Sequence, residues 1–184
     1  MQSKSKVIAI YILVDTSNSM IGEKSQQVET ALENFKERLH EINLDYPEAK
    51  VEISILCFAD KATWVAKKQS PEDLFWEMPY GTYTCMGKAF MELKKELSKK
   101  SVIDNNRNIL IILLTDGLPT DDAETALIDL ENNSCFLSCY RFAYALGNDV
   151  DRECLHDFTG KSRNVLERFD LSKVEVVLEE LLYD

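Results

Sequence analysis

At 184 residues and 45% hydrophobic, the chain is long enough to bury a core without disulfide or metal staples, and its size fits one domain spanning residues 1–184. A formal net charge of -11 excludes a nucleic-acid surface, which needs clustered Lys and Arg, and serves first as a source of solubility. No apolar run approaches the ~20 residues that cross a bilayer.

The first element is the apolar run Val7 to Val14. Lys4 and Lys6 before it give it a passing likeness to a signal peptide, but it lacks a small-residue cleavage site and runs directly into Asp15, so it reads as a buried strand. Apolar residues at helical spacing (Val28, Ala31, Leu32, Phe35, Leu39, Ile42) predict a helix from Glu23 to Leu44, ended by Tyr46-Pro47. Val51 to Phe58 reads as the second strand and Ala62 to Ala66 as a short third, antiparallel because only a tight turn at Asp60-Lys61 joins them. Gln69 to Tyr83, with Pro71, Pro79 and Gly81, reads as a loop.

A helix is expected from Cys85 to Lys99, with Met86, Ala89, Phe90, Leu93 and Leu97 on its apolar face. Asn108 to Thr115 holds the most hydrophobic run and reads as a central strand. After it come a helix at Asp121 to Asn133, a strand at Phe136 to Leu146, a short helix at Val150 to Phe158, an edge strand at Val165-Leu166 and a final helix at Leu171 to Leu182. Strands alternating with helices predict an α/β fold: a three-layer, doubly wound, mostly parallel sheet with one short antiparallel edge strand. Ligands of such sheets bind at the carboxyl ends of the strands, where strand order reverses. The loops that follow strands are therefore where chemistry is expected.

Two such loops carry it. Asp15-Thr16-Ser17-Asn18-Ser19-Met20 follows the first strand, and Thr115-Asp116-Gly117-Leu118-Pro119-Thr120-Asp121 follows the central one. Both fall at the same sheet edge, so two carboxylates and two hydroxyls converge there, an oxygen set suited to Mg²⁺, Mn²⁺ or Ca²⁺. Taken singly, Asp15 with Ser17 could cap a helix, and Asp116-Gly117 could be an ordinary turn. Their joint placement at strand ends favours a site.

Asp-x-Ser-x-Ser after the first strand, Thr in a second loop and Thr-Asp-Gly after a later strand resemble the metal-ion-dependent adhesion site of von Willebrand factor A domains. The resemblance runs from Val7 to Leu182 and is nearest the tellurite-resistance, TerY-like subgroup through Asp15-Thr16-Ser17, Ser19-Met20 and Gly22-Glu23-Lys24. It implies that Ser17 and Ser19 bind a divalent metal through their hydroxyls and that Thr84 supplies a third. It also implies that Asp15 and Asp116 act mostly through water, and that an Asp or Glu of a partner protein fills the remaining position. Thr84 is preferred to Thr82 because the small and apolar run Cys85 to Phe90 follows it in the family phase and because a hydroxyl residue suits a helix start. The chain departs from the pattern at Asn18, where glycine is frequent, and at Thr82-Tyr83, in place of a glycine pair.

The implied function is a metal-dependent protein-protein interaction module of a bacterial stress-response or tellurite-resistance system. It would be cytoplasmic and monomeric, with Mg²⁺ (or Mn²⁺ or Ca²⁺) as cofactor and a kinase or phosphatase of the same operon as partner. The alternatives are a metal-dependent phosphatase or phosphoacceptor domain, and a degenerate relative that binds partners without metal.

Catalysis is not expected. His40 and His156 lie away from the motif loops. The position two after Asp15, where a haloacid-dehalogenase-type phosphatase wants a second Asp, is Ser17. A dinucleotide fingerprint and a phosphate loop are both absent, since Gly87-Lys88-Ala89 lacks the hydroxyl residue.

The five cysteines, an odd number without paired spacing, read as buried free thiols in a reducing compartment. Cys135 and Cys139 have no second ligand pair for zinc. Leu74 to Tyr80 is either a partner-binding rim or a cover for the sheet edge. Asp121 and Asp122 are expected to charge the start of the helix they open. Asn148, Asp149 and Asp151 add negative potential at the same edge.

Overall fold

The computed structural model describes residues 6–103, 108–161, 164–167 and 171–183. Six strands form one sheet: β1 (Lys6–Asp15), β2 (Ala49–Phe58), β3 (Ala62–Gln69), β4 (Asn108–Thr115), β5 (Tyr140–Ala145) and β6 (Val165–Leu166), in the order β3-β2-β1-β4-β5-β6. The β2–β3 pair is antiparallel and the other four pairs are parallel, as the alternation of apolar runs and helices predicts. The helices are α1 (Glu23–Asp45), α2 (Met86–Leu97), α3 (Lys100–Ile103), α4 (Ala123–Glu131), α5 (Ser134–Ser138), α6 (Arg152–Thr159) and α7 (Ser172–Tyr183).

Period-two alternation along β1 assigns the faces. Ile8, Ile10, Ile12 and Val14 pack with Val28, Leu32, Phe35 and Leu39 of α1 and with Val174 and Leu178 of α7. Ala9, Tyr11 and Leu13 pack on the other face with Phe90 and Leu93 of α2, Leu127 of α4 and Phe158 of α6. Both faces of the central strands are thereby buried, which explains why their sequences are continuously apolar instead of alternating. Among the described residues no helix is long and apolar enough to cross a membrane.

From β1 the chain winds outward to β2 and β3, then crosses to β4 on β1's other side. Strand order therefore reverses between β1 and β4, and the loops beginning at Asp15 and Thr115 flank that reversal.

The expected strand from Phe136 to Leu146 needs correction. Its first residues form α5, whose start is capped by the Asn133 side chain accepting from Phe136 N at 3.1 Å, and β5 begins only at Tyr140. Phe136 is fully buried, 5.6 Å from the ring of Phe158 and 4.5 Å from the Arg141 guanidinium of β5, so it enters the core from a helix and not from a strand. The helix expected from Cys85 to Lys99 is α2, with the separate short α3 following beyond Lys99, and β3 runs on to Gln69.

Candidate metal centre at the sheet switch point

Three loops build the site. The first leaves β1 at Asp15, turns through a 3-10 segment at Asn18–Met20 and enters α1 at Gly22, whose φ of 104° is open to glycine at little cost. Asp15 is buried. Its Oδ1 accepts from Ser17 N at 2.9 Å and its Oδ2 from the Thr115 hydroxyl at 2.6 Å. Burial pushes its carboxyl above the ordinary carboxylate range, hydrogen bonds from Thr115 and Ser17 oppose that, and the charge of Asp116 adds to it.

Ser17 Oγ lies 3.1 Å from Ser19 Oγ, and Ser19 Oγ donates to Asp116 Oδ1 at 2.8 Å. The Lys24 ammonium pairs with the other oxygen, Oδ2. Asp15, Ser17, Ser19 and Asp116 are thus one connected cluster, although the two carboxylates are about a hundred positions apart in the chain.

The middle loop lies alongside. Ser17 and Gly81 form a parallel bridge, and Gly81 N donates to Thr16 O at 3.0 Å. Gly81 is needed for lack of a side chain: a Cβ there would stand 2.5 Å from Asp60 Oδ2 and 2.8 Å from Ala59 Cβ. The Asp60 carboxylate, just past β2, accepts from the backbone N–H groups of Thr82 and Tyr83, each at 3.1 Å.

Thr84 is buried and Thr82 is exposed. The Thr84 hydroxyl faces the Asp116 loop, where a Cβ on Gly117 would meet it at 3.7 Å. Thr84 N donates to Thr120 Oγ1 at 2.9 Å, and Thr120 N donates back to Thr84 O at 2.9 Å.

The start of α2 is capped from a distance. Cys85 makes no side-chain cap, and instead Asp121 accepts from Gly87 N at 2.9 Å and Lys88 N at 3.0 Å. This corrects the expectation that Asp121 charges its own helix. Of the two, Asp122 does that, accepting from Thr125 N at 3.1 Å, with Glu124 in the first turn of α4, which begins at Ala123. Asp151 likewise caps α6 through Cys154 N at 3.0 Å.

Sequence reasoning passed over Lys24, Asp60, Thr115, Thr120 and Asp121 as supports. Asp60 had a usable signal, since it lies in the loop after a buried strand at the same sheet edge. Asp121 had none, because its partners lie on another helix.

The candidate ligand atoms of Asp15, Ser17, Ser19, Thr84 and Asp116 are all oxygen, the set that hard divalent cations take and that soft metals do not. Among the described residues no group of three His, Cys, Asp or Glu could hold a metal, so an ion here would rest on hydroxyls as much as on carboxylates. No imidazole is near: His40 lies on α1 with its Nδ1 3.5 Å from Glu72, and His156 is exposed on α6.

Exposed apolar side chains stand in each of the three loops: Ile21, Tyr80 with Tyr83, and Leu118. Between β3 and that rim, Leu74 is buried, Trp76 and Met78 pack partly against the α1 face, and Phe75 is exposed. The segment therefore covers the sheet and presents one ring outward.

The arrangement is that of a von Willebrand factor type A domain. A model of that domain matches residues 9–181, and the chain belongs to this family, which commonly mediates metal-dependent protein interactions. Among solved structures it is similar to VWA2, an ArnB paralog from Sulfolobus acidocaldarius, at 19% identity and a TM-score of 0.68, covering 97% of this chain and 46% of that one. It also resembles proximal thread matrix protein 1 of the mussel byssus with a zinc-occupied MIDAS motif, at 16% identity and a TM-score of 0.65, covering 99% and 46%. A third is the pilus adhesin SpaC of Lactobacillus rhamnosus GG in an open conformation, at 14% identity and a TM-score of 0.70, covering 100% and 30%. The chain spans less than half the length of each. No curated protein sequence matches it.

Proposed function

We propose that this domain is a non-enzymatic interaction module that grips an acidic side chain of a partner protein through a divalent cation. The observation that carries the reading is the continuous cluster Ser17–Ser19–Asp116 beside the buried Asp15, set within a rim of exposed apolar side chains. Ser17, Ser19 and Thr84 are assigned as hydroxyl ligands of Mg²⁺, Mn²⁺ or Ca²⁺, and Asp15 and Asp116 as acceptors acting mostly through water. The zinc in the byssus protein's MIDAS motif supports divalent-ion binding at this place in the fold.

Neutral hydroxyls next to the ion leave it much of its charge, so it stays attractive to an incoming carboxylate. Metal and partner therefore bind cooperatively, and without the partner Mg²⁺ binds weakly because it sheds water reluctantly. The absence of a nearby imidazole base fits gripping better than hydrolysis. The likeness to TerY-like sequences extends the proposal to a cytoplasmic, monomeric role in a stress-response or tellurite-resistance system, with a kinase or phosphatase of the same operon as partner.

Titration calorimetry with Mg²⁺ and Mn²⁺ on the wild type and on Asp15→Ala tests this. Binding by the wild type and none by the variant is expected. Equal binding by both, or turnover of a generic phosphate ester that requires Asp15, overturns it.

A further inference from the structure

Asp116 is a carboxylate with no exposed side-chain surface, yet one of its oxygens is held by a lysine that remains 42% exposed. Lys24 is the second residue of α1. A cation there opposes the helix dipole, so its position does nothing for the helix itself. The backbone aims it instead. Gly22, at φ 104°, turns the chain from the 3-10 segment directly into α1, and the first helical turn overhangs the site. On the far side, Gly147 in the loop after β5 borders the ammonium, since a Cβ there would stand at van der Waals distance, 4.0 Å, from Lys24 Nζ. The ammonium thus occupies the charge-compensating position that a divalent ion would compete for.

We propose that Lys24 is a tethered counter-ion: it neutralises Asp116 while the site holds no metal, is displaced to the rim when the ion enters, and there pairs with the acid that the partner brings. This rests on the metal-site reading above. A divalent ion beside the fully buried Asp116 side chain repels the ammonium at short range. The lysine therefore lowers intrinsic metal affinity while keeping the empty site folded. An acid from the partner gives the freed ammonium a new mate, so Lys24 adds to the coupling between metal and partner and favours carboxylate over neutral ligands.

The test is calorimetric titration of wild type, Lys24→Met and Lys24→Arg with MgCl₂ and MnCl₂, alongside melting curves without metal. Lys24→Met should bind metal about tenfold more tightly, in keeping with loss of one repelling unit charge, and should melt lower when metal-free. Lys24→Arg should stay near the wild type. Acetate, as a carboxylate probe, should tighten Mg²⁺ binding more in the wild type than in Lys24→Met. Equal metal affinity in wild type and Lys24→Met overturns the inference but leaves the metal site standing, whereas no binding by either overturns both. Equal tightening by acetate overturns the pairing at the rim. Should Lys24→Met not fold, ¹⁵N-lysine spectra of the wild type decide: a Lys24 Nζ signal unmoved by MgCl₂ overturns displacement.

Discussion

Replacing Asp121 with alanine should do more damage than replacing its neighbour Asp122. Asp121 caps α2 from another loop through two hydrogen bonds, to Gly87 N and Lys88 N, and Gly87 is buried. A hydrogen bond to a charged acceptor contributes about 1.5 kcal/mol or more, and a buried N–H left without water costs a further amount of that order, so Asp121→Ala should cost about 2–3 kcal/mol. Asp122 is an exposed cap with one bond, to Thr125 N, and its loss should cost about 1 kcal/mol. At ~2–4 °C per kcal/mol for a chain of this size, the expected falls in Tm are about 5–10 °C and ~3 °C. Urea unfolding followed by circular dichroism, with equal m-values, measures both. Because α2 begins two residues after Thr84, Asp121→Ala should also weaken Mg²⁺ binding while Asp122→Ala leaves it unchanged. If Asp121→Ala costs no more than Asp122→Ala, the cross-loop cap is not what holds the middle loop.

Gly81→Ala should destabilise the fold by about 1–3 kcal/mol through steric overlap with Asp60 and Ala59, seen as a lower urea midpoint. Glu96 is buried on α2. Burial alone would raise its carboxyl, but the hydrogen bond from Lys99 and the charges of Lys99, Lys67 and Lys68 outweigh burial and hold it below the usual range. Its contribution is therefore present above an unfolded pKa of ~4.3 and lost as pH falls through the lower folded value. Glu96→Gln should cost roughly 1.5 kcal/mol at neutral pH, and the gap from wild type should close in melting curves taken below about pH 4. Cys135 is brought down to about 7 by its hydrogen bond with Cys139, whereas burial pushes Cys57 up to about 12. Iodoacetamide at neutral pH should therefore modify Cys135 before Cys57, as read by peptide mass spectrometry.

The central strands were legible because residues buried on both faces must be apolar without interruption, as in Ile8 to Val14 and Ile109 to Leu114. The motif loops were legible because a parallel sheet puts every strand's carboxyl end on one edge. A short apolar stretch does not reveal its own geometry, which is why Phe136 read as strand: one buried aromatic satisfies a helix or a sheet equally. The division of labour between Asp121 and Asp122 was hidden because adjacent carboxylates look alike until the fold decides which amides each one meets. Lys24 was hidden for a similar reason. Its mate, Asp116, is separated from it by 92 positions and is brought near only by the winding of the sheet.

The two edges of the sheet bear on how this molecule can meet others. At one end β3 is broken by register shifts against β2, turns at Lys68 with φ 49°, and carries Lys67 and Lys68. At the other, β6 is two residues long, and Asn164 Nδ2 donates to the carbonyl of Arg141 on β5 at 2.9 Å. A foreign strand would find irregular spacing and two lysine side chains on one side and a strand of only two residues on the other, which blunts stacking into fibrils. What the sheet's two borders leave open to contact is then chiefly side chains, those of the loops at the carboxyl ends of the strands among them.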